Sequence, residues 1–497
     1  MRRVVANAAH LPWRQPFQHL VREVFVTDST KRLNTAPTDG LLSQLGIHGF
    51  GTIEPVILAA LAGESTLLLI GAHGTAKSLL LCRIAEALSL EFRHYNASLL
   101  NFDDLVGYPT PGEGGKLEFI ETPASVWPAE AVFLDEISRA RIDMQNRFFS
   151  LIHERRVQGI KIERLRFRWA AMNPPGGEDD CGDDSGYLGS EPLDPALADR
   201  FEFVVPVPTW ADLSPAERTH VLESSDSPSI DIGTQLLERL DEIRHLAGVV
   251  DEACGEAFTT YVQLLLDRWS DISSPLSGRR ARMIREALPL VHAARLCANS
   301  LASTGKSVLL AVRHMLPQRA DGKPLPEGKI LAAHAESWNA ADLDASDPRR
   351  LLAAERDPIR RGILAIGVDL PAGDRSAYVS DALASCHVGA REALALHFID
   401  DPKVGDLNPA VLEQIAVLAD AVRGQHDLDM LVRSGSEQHA AIKAVNGELV
   451  ARSGDPYTGL LQNLLHARVG SGDIDDAADV VIIADAFVNM QERLAAA

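Results

Sequence analysis

Cysteine is scarce in the 497-residue chain: five residues, Cys82, Cys181, Cys254, Cys297 and Cys386, scattered without paired spacing. An odd, dispersed set excludes a disulfide framework and a zinc-ligand quartet, and fits buried thiols in a reducing cytosol. Cations are also in short supply, with 48 Lys+Arg against 69 Asp+Glu and a net charge of −21. A body this acidic repels a phosphate backbone as a whole, which disfavours nucleic acid as a partner, although a local basic pore stays compatible with it. Long apolar runs are missing too. The best, 56–61 and 480–488, fall well short of the roughly 18 to 20 residues of a membrane helix. The opening Met1-Arg2-Arg3-Val4-Val5-Ala6-Asn7 has the charges of a signal peptide without its apolar core. The expectation is a cytoplasmic protein with no membrane partner.

What the chain does have is an ordinary globular composition, 46% hydrophobic and 24% charged. Its length suggests roughly three domains with several sizeable cores. Residues 1–40 form an arm broken by Pro12, Pro16 and Pro37. Over 41–208, short β-rich apolar runs alternate with helical patterns, the sign of parallel βαβ units, with strands expected at 66–70, 91–95, 131–134, 165–171 and 201–205. A Pro/Ser-rich linker is expected at 209–230, a helical lid at 231–320, a second linker at 321–345 and a helical extension at 346–497. In that extension Val411, Leu412, Ile415, Leu418, Ala419 and Val422 share one helical face. The fold class is therefore an α/β core with a parallel sheet, followed by an all-α lid and an all-α C-terminal extension.

The strongest local signal is the apolar run Leu67-Leu68-Leu69-Ile70 entering Gly71-Ala72-His73-Gly74-Thr75-Ala76-Lys77-Ser78, with Leu79 continuing into a helical pattern. Strand, glycine-bearing loop and helix in that order make a phosphate loop. Gly71 and Gly74 let backbone N–H groups turn toward phosphate oxygens, and the helix N-terminus adds its positive dipole. Lys77 is placed for the β- and γ-phosphates of ATP and the Ser78 hydroxyl for Mg²⁺. Ala76 stands where glycine is usual. Alanine tolerates the helical φ/ψ of a helix start, so the exchange is not expected to disable the loop.

Ala131-Val132-Phe133-Leu134-Asp135-Glu136 is an apolar strand ending in two carboxylates. Asp135 suits Mg²⁺ through water, and Glu136 suits polarisation of an attacking water. Farther on, Phe167-Arg168-Trp169-Ala170-Ala171-Met172-Asn173-Pro174 ends in Asn173, either a water-orienting group or an Asn-Pro turn. Arg200 follows Asp199 at a helix end and precedes a strand. It is a solvated cation, a partner of Asp199, or an arginine finger completing a neighbouring subunit's site.

These runs, with Leu134-Asp135-Glu136-Ile137-Ser138-Arg139-Ala140, Met172-Asn173-Pro174 and Asp199-Arg200-Phe201, resemble the MoxR family of AAA+ ATPases, in its helix-2-insert branch. Ala before the loop lysine is frequent there. The family often has Pro at the place of His73 and Asn at that of Ser138. The resemblance spans roughly residues 41–319. It implies Walker A at Lys77 and Ser78, Walker B at Asp135 and Glu136, sensor 1 at Asn173 and an arginine finger at Arg200. It also implies a sensor 2 arginine at Arg280, with Arg279 a close second, where Ser277-Gly278-Arg279-Arg280 opens a helix. Asn96 falls where such ATPases place a polar switch, and reads equally as a cap or turn former. Hairpins at 104–120 and 156–161 fall where the helix-2 insert and the pre-sensor hairpin occur. The implied protein is a homo-oligomeric ring, a hexamer, which remodels a client protein or assists its assembly, with a von Willebrand A domain protein as partner. The alternatives are an ATP-binding assembly scaffold and a chelatase-like metal-insertion motor.

The C-terminal third offers no catalytic constellation. His387, His397, His426, His439 and His466 are isolated, and the acidic pairs there read as turns or helix starts. By analogy with other helical additions it binds a partner or substrate.

Overall fold

The computed structural model describes residues 40–111, 117–175, 190–223, 232–344, 346–425, 437–474 and 476–496. The expected N-terminal arm lies almost wholly outside the described residues, as do Cys181, His426 and the tip of the first hairpin. The chain divides into two compact units, Met1–Asp342 and Leu343–Ala497.

In the first unit, α1 (Leu41–Gln44) and α2 (Glu54–Ala62) precede β1 (Leu67–Ile70), and α3 (Lys77–Ala87) leads to β2 (Phe92–Asn96). The short α4 (Phe102–Val106) runs into an antiparallel hairpin, β3 (Tyr108–Pro111) and β4 (Leu117–Ile120). Then come β5 (Ala131–Asp135), α5 (Ile142–Glu154), a second hairpin of β6 (Arg156–Val157) and β7 (Ile160–Lys161), β8 (Phe167–Met172), α6 (Pro195–Ala198) and β9 (Phe203–Pro206). Five strands form one parallel sheet in the order β2-β5-β8-β1-β9. The five strands expected from the sequence are these five, displaced by one or two residues at their ends.

Both faces of the sheet are covered, as parallel sheets require. Leu67, Leu69, Phe133, Trp169, Phe203 and Val205 enter one core and Leu68, Ile70, Val132, Leu134, Met172 and Val204 the other. Strand alternation thus splits one apolar run between two cores. Every strand ends at the same edge of the sheet, where β1 releases the glycine loop and β5 releases Asp135.

Past β9 the unit is helical: α7 (Pro215–Glu223), α8 (Ile232–Ile272), α9 (Gly278–Ala298), α10 (Thr304–Arg313) and α11 (Glu327–Ala341). At 41 residues α8 is about 60 Å long. It buries Leu236, Leu240, Ile243, Phe258, Tyr261, Leu265 and Trp269 in the same core as α2 and α9. Both stretches expected as linkers contain helix. In 209–230 it is α7, which has no buried residue, and in 321–345 it is α11, which buries Ile330, Ala333, His334 and Ser337. Pro215 opens α7 and Pro326 caps α11, because the fixed φ of proline suits a helix's first residue or its cap.

The second unit is all helical: α12 (Pro348–Ala354), α13 (Pro358–Gly367), α14 (Ala372–Ala384), α15 (Ala390–Ile399), α16 (Pro409–Arg423), α17 (Glu437–Ala451), α18 (Thr458–Ser471) and α19 (Ala477–Ala495). The expected amphipathic helix is α16, which buries Ile415, Leu418, Ala419 and Val422. A fully buried Glu392 caps α15 through the Gly389 N–H and accepts a hydrogen bond from Arg468. Among the described residues no helix is long and apolar enough to cross a membrane.

Candidate nucleotide site

The glycine loop leaves β1 at Gly71, whose N–H donates to Met172 O at 3.2 Å. A Cβ on Gly71 would lie 2.2 Å from a Val207 methyl and 3.0 Å from Thr75 Oγ1, so only glycine fits without a shift. Gly74 has a φ of +73°, a left-handed conformation open to glycine at no cost. Ala76 is left-handed too, at φ 60° and ψ 19°. The expectation that it simply begins the helix is corrected here. It caps α3 in a conformation that costs an alanine about 1–2 kcal/mol, which explains the usual preference for glycine. Among the described residues no backbone acceptor takes the Gly74 or Ala76 N–H.

Lys77 is buried inside this loop. Its ammonium donates to Gly71 O and Ala72 O, both at 2.7 Å, and to Asn173 Oδ1 at 3.4 Å. Burial lowers its pKa, and the charges of Asp135 and Glu136 oppose that shift. Thr75 Oγ1 closes the turn on Ala72 O at 2.8 Å, His73 and Gly74 are exposed, and Leu79 stands 42% exposed on the first turn of α3.

Ser78 Oγ donates to Asp135 Oδ2 at 2.7 Å, and the Glu136 N–H donates to Asp135 Oδ1 at 3.0 Å. A third donor reaches the same carboxylate: His94 Nε2 lies 3.3 Å from Asp135 Oδ2. Burial pushes the Asp135 pKa up. The hydrogen bonds from His94, Ser78 and the Glu136 amide outweigh it, and the net shift is downward. Glu136 is itself left-handed at φ 55°, with its carboxylate 3.8 Å from Arg139 Nη1. Asn173 reaches Lys77, and its carbonyl accepts from Ser190 Oγ at 3.0 Å. Ser190 is in turn 3.2 Å from Ser138 Oγ, which ties the turn after β5 to the end of β8.

Asn96 does not join this cluster. Its Oδ1 accepts from Ser98 N at 3.0 Å and Ser98 Oγ at 2.6 Å, so it shapes the turn after β2. Of its two readings, the turn former is the one the geometry realises.

The arginines lie elsewhere. Thr66 Oγ1, just before β1, donates to Arg200 O at 2.9 Å, which puts Arg200 at the edge where the strands begin. The glycine loop leaves the opposite edge. Four-residue β1 separates the two by about 10 Å or more. The Arg200 guanidinium sits 4.2 Å over the Phe149 ring and donates to Ala196 O, and its Nε has no hydrogen-bond partner among the described residues. Burial, then the nearby Arg279 charge, lowers its pKa.

Arg280, the favoured sensor 2 residue, is fully buried and spends its guanidinium on structure. It donates to Asp199 Oδ1 at 3.3 Å, Glu202 O at 3.0 Å, Met315 O at 2.9 Å, Ala198 O at 3.4 Å and Asp199 O at 3.0 Å. Nothing is left with which to grip a phosphate, and the preference for Arg280 is corrected. Arg279 is 38% exposed, with a looser 3.5 Å contact to Asp199, and it neighbours Arg200 and His153 electrostatically.

Residues 66–201 match the family described as "AAA domain (dynein-related subfamily)". The chain carries an AAA domain. No curated protein matches the sequence significantly. Among solved structures it is similar to a Cytophaga hutchinsonii protein described as a "putative ATPase", with 17% identity and a TM-score of 0.43, covering 64% of this chain and 96% of that one. The AAA domain contains every residue of the Lys77–Ser78–Asp135–Asn173 cluster as well as Arg200.

Two residues of this cluster, His94 and Ser190, are not among the candidates that the sequence offers. A signal for His94 existed. Two residues before the end of β2, it shares a strand face with Asn96, and its register partner Phe133 shares one with Asp135. Ser190 carries no comparable signal, since it follows a stretch with no strand or helix pattern.

Proposed function

We propose that this AAA domain is a Mg²⁺-dependent ATPase of MoxR type, working as a homo-oligomeric ring, a hexamer, that remodels a client protein or assists its assembly together with a von Willebrand A domain partner. The observation that carries the ATPase reading is the convergence of Lys77, Ser78, Asp135 and Asn173 at one edge of the parallel sheet. The donor set fits the ligand: an ammonium inside a loop with unclaimed N–H groups suits phosphate oxygens, and a hydroxyl paired with a carboxylate suits a hydrated Mg²⁺. Lys77 and residues Gly71 to Leu79 hold the nucleotide, Ser78 and Asp135 hold the metal, Glu136 takes the proton of the attacking water, and Asn173 orients it. Mg²⁺, when bound, supplies charge for the developing phosphate oxygens.

Arg200 supports the ring. At the edge of the sheet opposite the glycine loop, it suits the γ-phosphate of a neighbouring subunit better than that of its own. Arg279, beside it, suits the same anion, and takes the sensor role that Arg280 is too buried to play.

ATP turnover per subunit, measured with Mg²⁺ over a wide range of protein concentration, tests the reading. Specific activity should rise steeply and then saturate, and E136Q should bind ATP while losing turnover by about 100-fold or more. Turnover untouched by E136Q contradicts the assignment of Glu136. ATP binding without turnover at any concentration favours the assembly scaffold.

A further inference from the structure

His94 lies outside every role assigned so far, and its surroundings are specific. The ring stacks on Phe133 with centroids 4.6 Å apart and planes 26° from parallel. With one face on Phe133, the imidazole points Nε2 across to β5 at Asp135 Oδ2, 3.3 Å away. The register gives the cause: His94 pairs with Phe133 and Asn96 with Asp135, so the aromatic step lies directly behind the carboxylate.

We propose that His94 is a positioning residue for the metal site, holding the Asp135 carboxylate from the side opposite the Glu136 amide so that it meets the Ser78 hydroxyl and the hydrated cation in one orientation. Without His94, Asp135 keeps, among the described residues, one side-chain donor, Ser78, and one backbone donor, the Glu136 N–H. Ser78 is itself a metal-site group, so its bond cannot anchor the carboxylate independently of the cation. His94 can, because its ring, although 41% exposed, rests on Phe133, a residue outside the metal site. Donation from Nε2 needs only a proton on that nitrogen, which the Nε2–H tautomer and the imidazolium both carry. Donors behind a liganding group set its orientation, and their loss typically weakens metal binding by about 10- to 100-fold.

The inference rests on the Mg²⁺-nucleotide reading of the site, and the experiment separates the two. The full chain is titrated with Mn²⁺, followed by electron paramagnetic resonance, with ADP present, and fluorescent ADP binding is measured without metal. H94F keeps a ring against Phe133 and removes the donor, H94L serves if H94F folds poorly, and H94Q restores a donor. The expected result is an Mn²⁺ half-saturation raised about tenfold in H94F or H94L and returned to within about twofold of the parent in H94Q. Metal-free ADP affinity should be unchanged in all three. If H94F and H94L both titrate Mn²⁺ as the parent does, the assignment is overturned and His94 is a packing residue of β2. If the parent binds no ADP with or without Mn²⁺, the nucleotide site itself falls and takes the assignment with it.

Discussion

Arg279 and Arg280 are adjacent, chemically identical and oppositely employed. The α9 N-terminus, capped by Ser277 Oγ on the Arg280 N–H at 3.0 Å, turns one guanidinium inward to Asp199 and leaves the other at the surface. Asp199 Oδ2 also accepts from Ser277 Oγ at 2.9 Å, so one carboxylate fastens α9 to the segment that carries Arg200. Truncating Arg280 strips the donors from four backbone carbonyls and leaves Asp199 partly buried without its close partner. R280A should therefore destabilise the first unit by about 3–5 kcal/mol, read as a lower denaturant midpoint. R279A should leave that midpoint within about 0.5 kcal/mol, as exposed pairs do, while lowering ATP turnover. The reverse pattern would return the nucleotide-facing role to Arg280.

Between elements, α9 and α10 are joined by a buried polar contact. His292 is fully buried, with Nδ1 2.8 Å from Ser307 Oγ and Nε2 3.2 Å from Thr304 Oγ1. Burial, helped by the Arg295 charge, pushes its pKa down to about 4. The unfolded chain takes up this proton near pH 6.5, and the folded chain resists it until about pH 4. The contribution of His292 is thus complete above about pH 6.5 and is lost as pH falls toward 4, at up to about 1.4 kcal/mol per pH unit. Chemical unfolding of the parent and of H292Q at several pH values should show the variant losing stability less steeply by about that slope. Parallel curves would mean that His292 is protonated in the fold. The legibility of elements in the sequence follows the same physics. β1, β5 and β9, covered on both faces, appear as apolar runs and are readable as such, whereas the edge strand β2, Phe92-Arg93-His94-Tyr95-Asn96, reads only from its place in the alternation of strand and helix; α16 shows its stripe. The helices within the expected linkers are not readable, because proline marks a break and a helix start alike. Asn96, His94 and the two arginines needed tertiary partners to sort them: a strand's polar end looks the same whether its side chain turns back on its own loop or reaches across to β5.

At the scale of the molecule, the parallel sheet keeps Arg200 and the glycine loop at opposite edges. Lys77, Ser78, Asp135 and Asn173 gather where the strands end, while Arg200 is fixed beside Thr66 where β1 begins. A subunit whose Arg200 serves a neighbour, in a head-to-tail contact repeated around a closed ring, makes each site from two chains. Defects in the two halves should then complement. R200A alone should bind nucleotide and lose turnover by about 10³-fold or more, the range known for arginine fingers, and E136Q alone should be inactive for a separate reason. Mixed in equal amounts and allowed to exchange, they place an intact Glu136 beside an intact Arg200 at about a quarter of the interfaces if assembly is random. Turnover recovering to roughly that fraction of the parent, in a mixture of two inactive proteins, has no explanation within single subunits. A mixture as inactive as its components, under conditions where the parent assembles and hydrolyses ATP, would place Arg200 outside the reaction and return it to its bonds with Ala196 and the Phe149 ring.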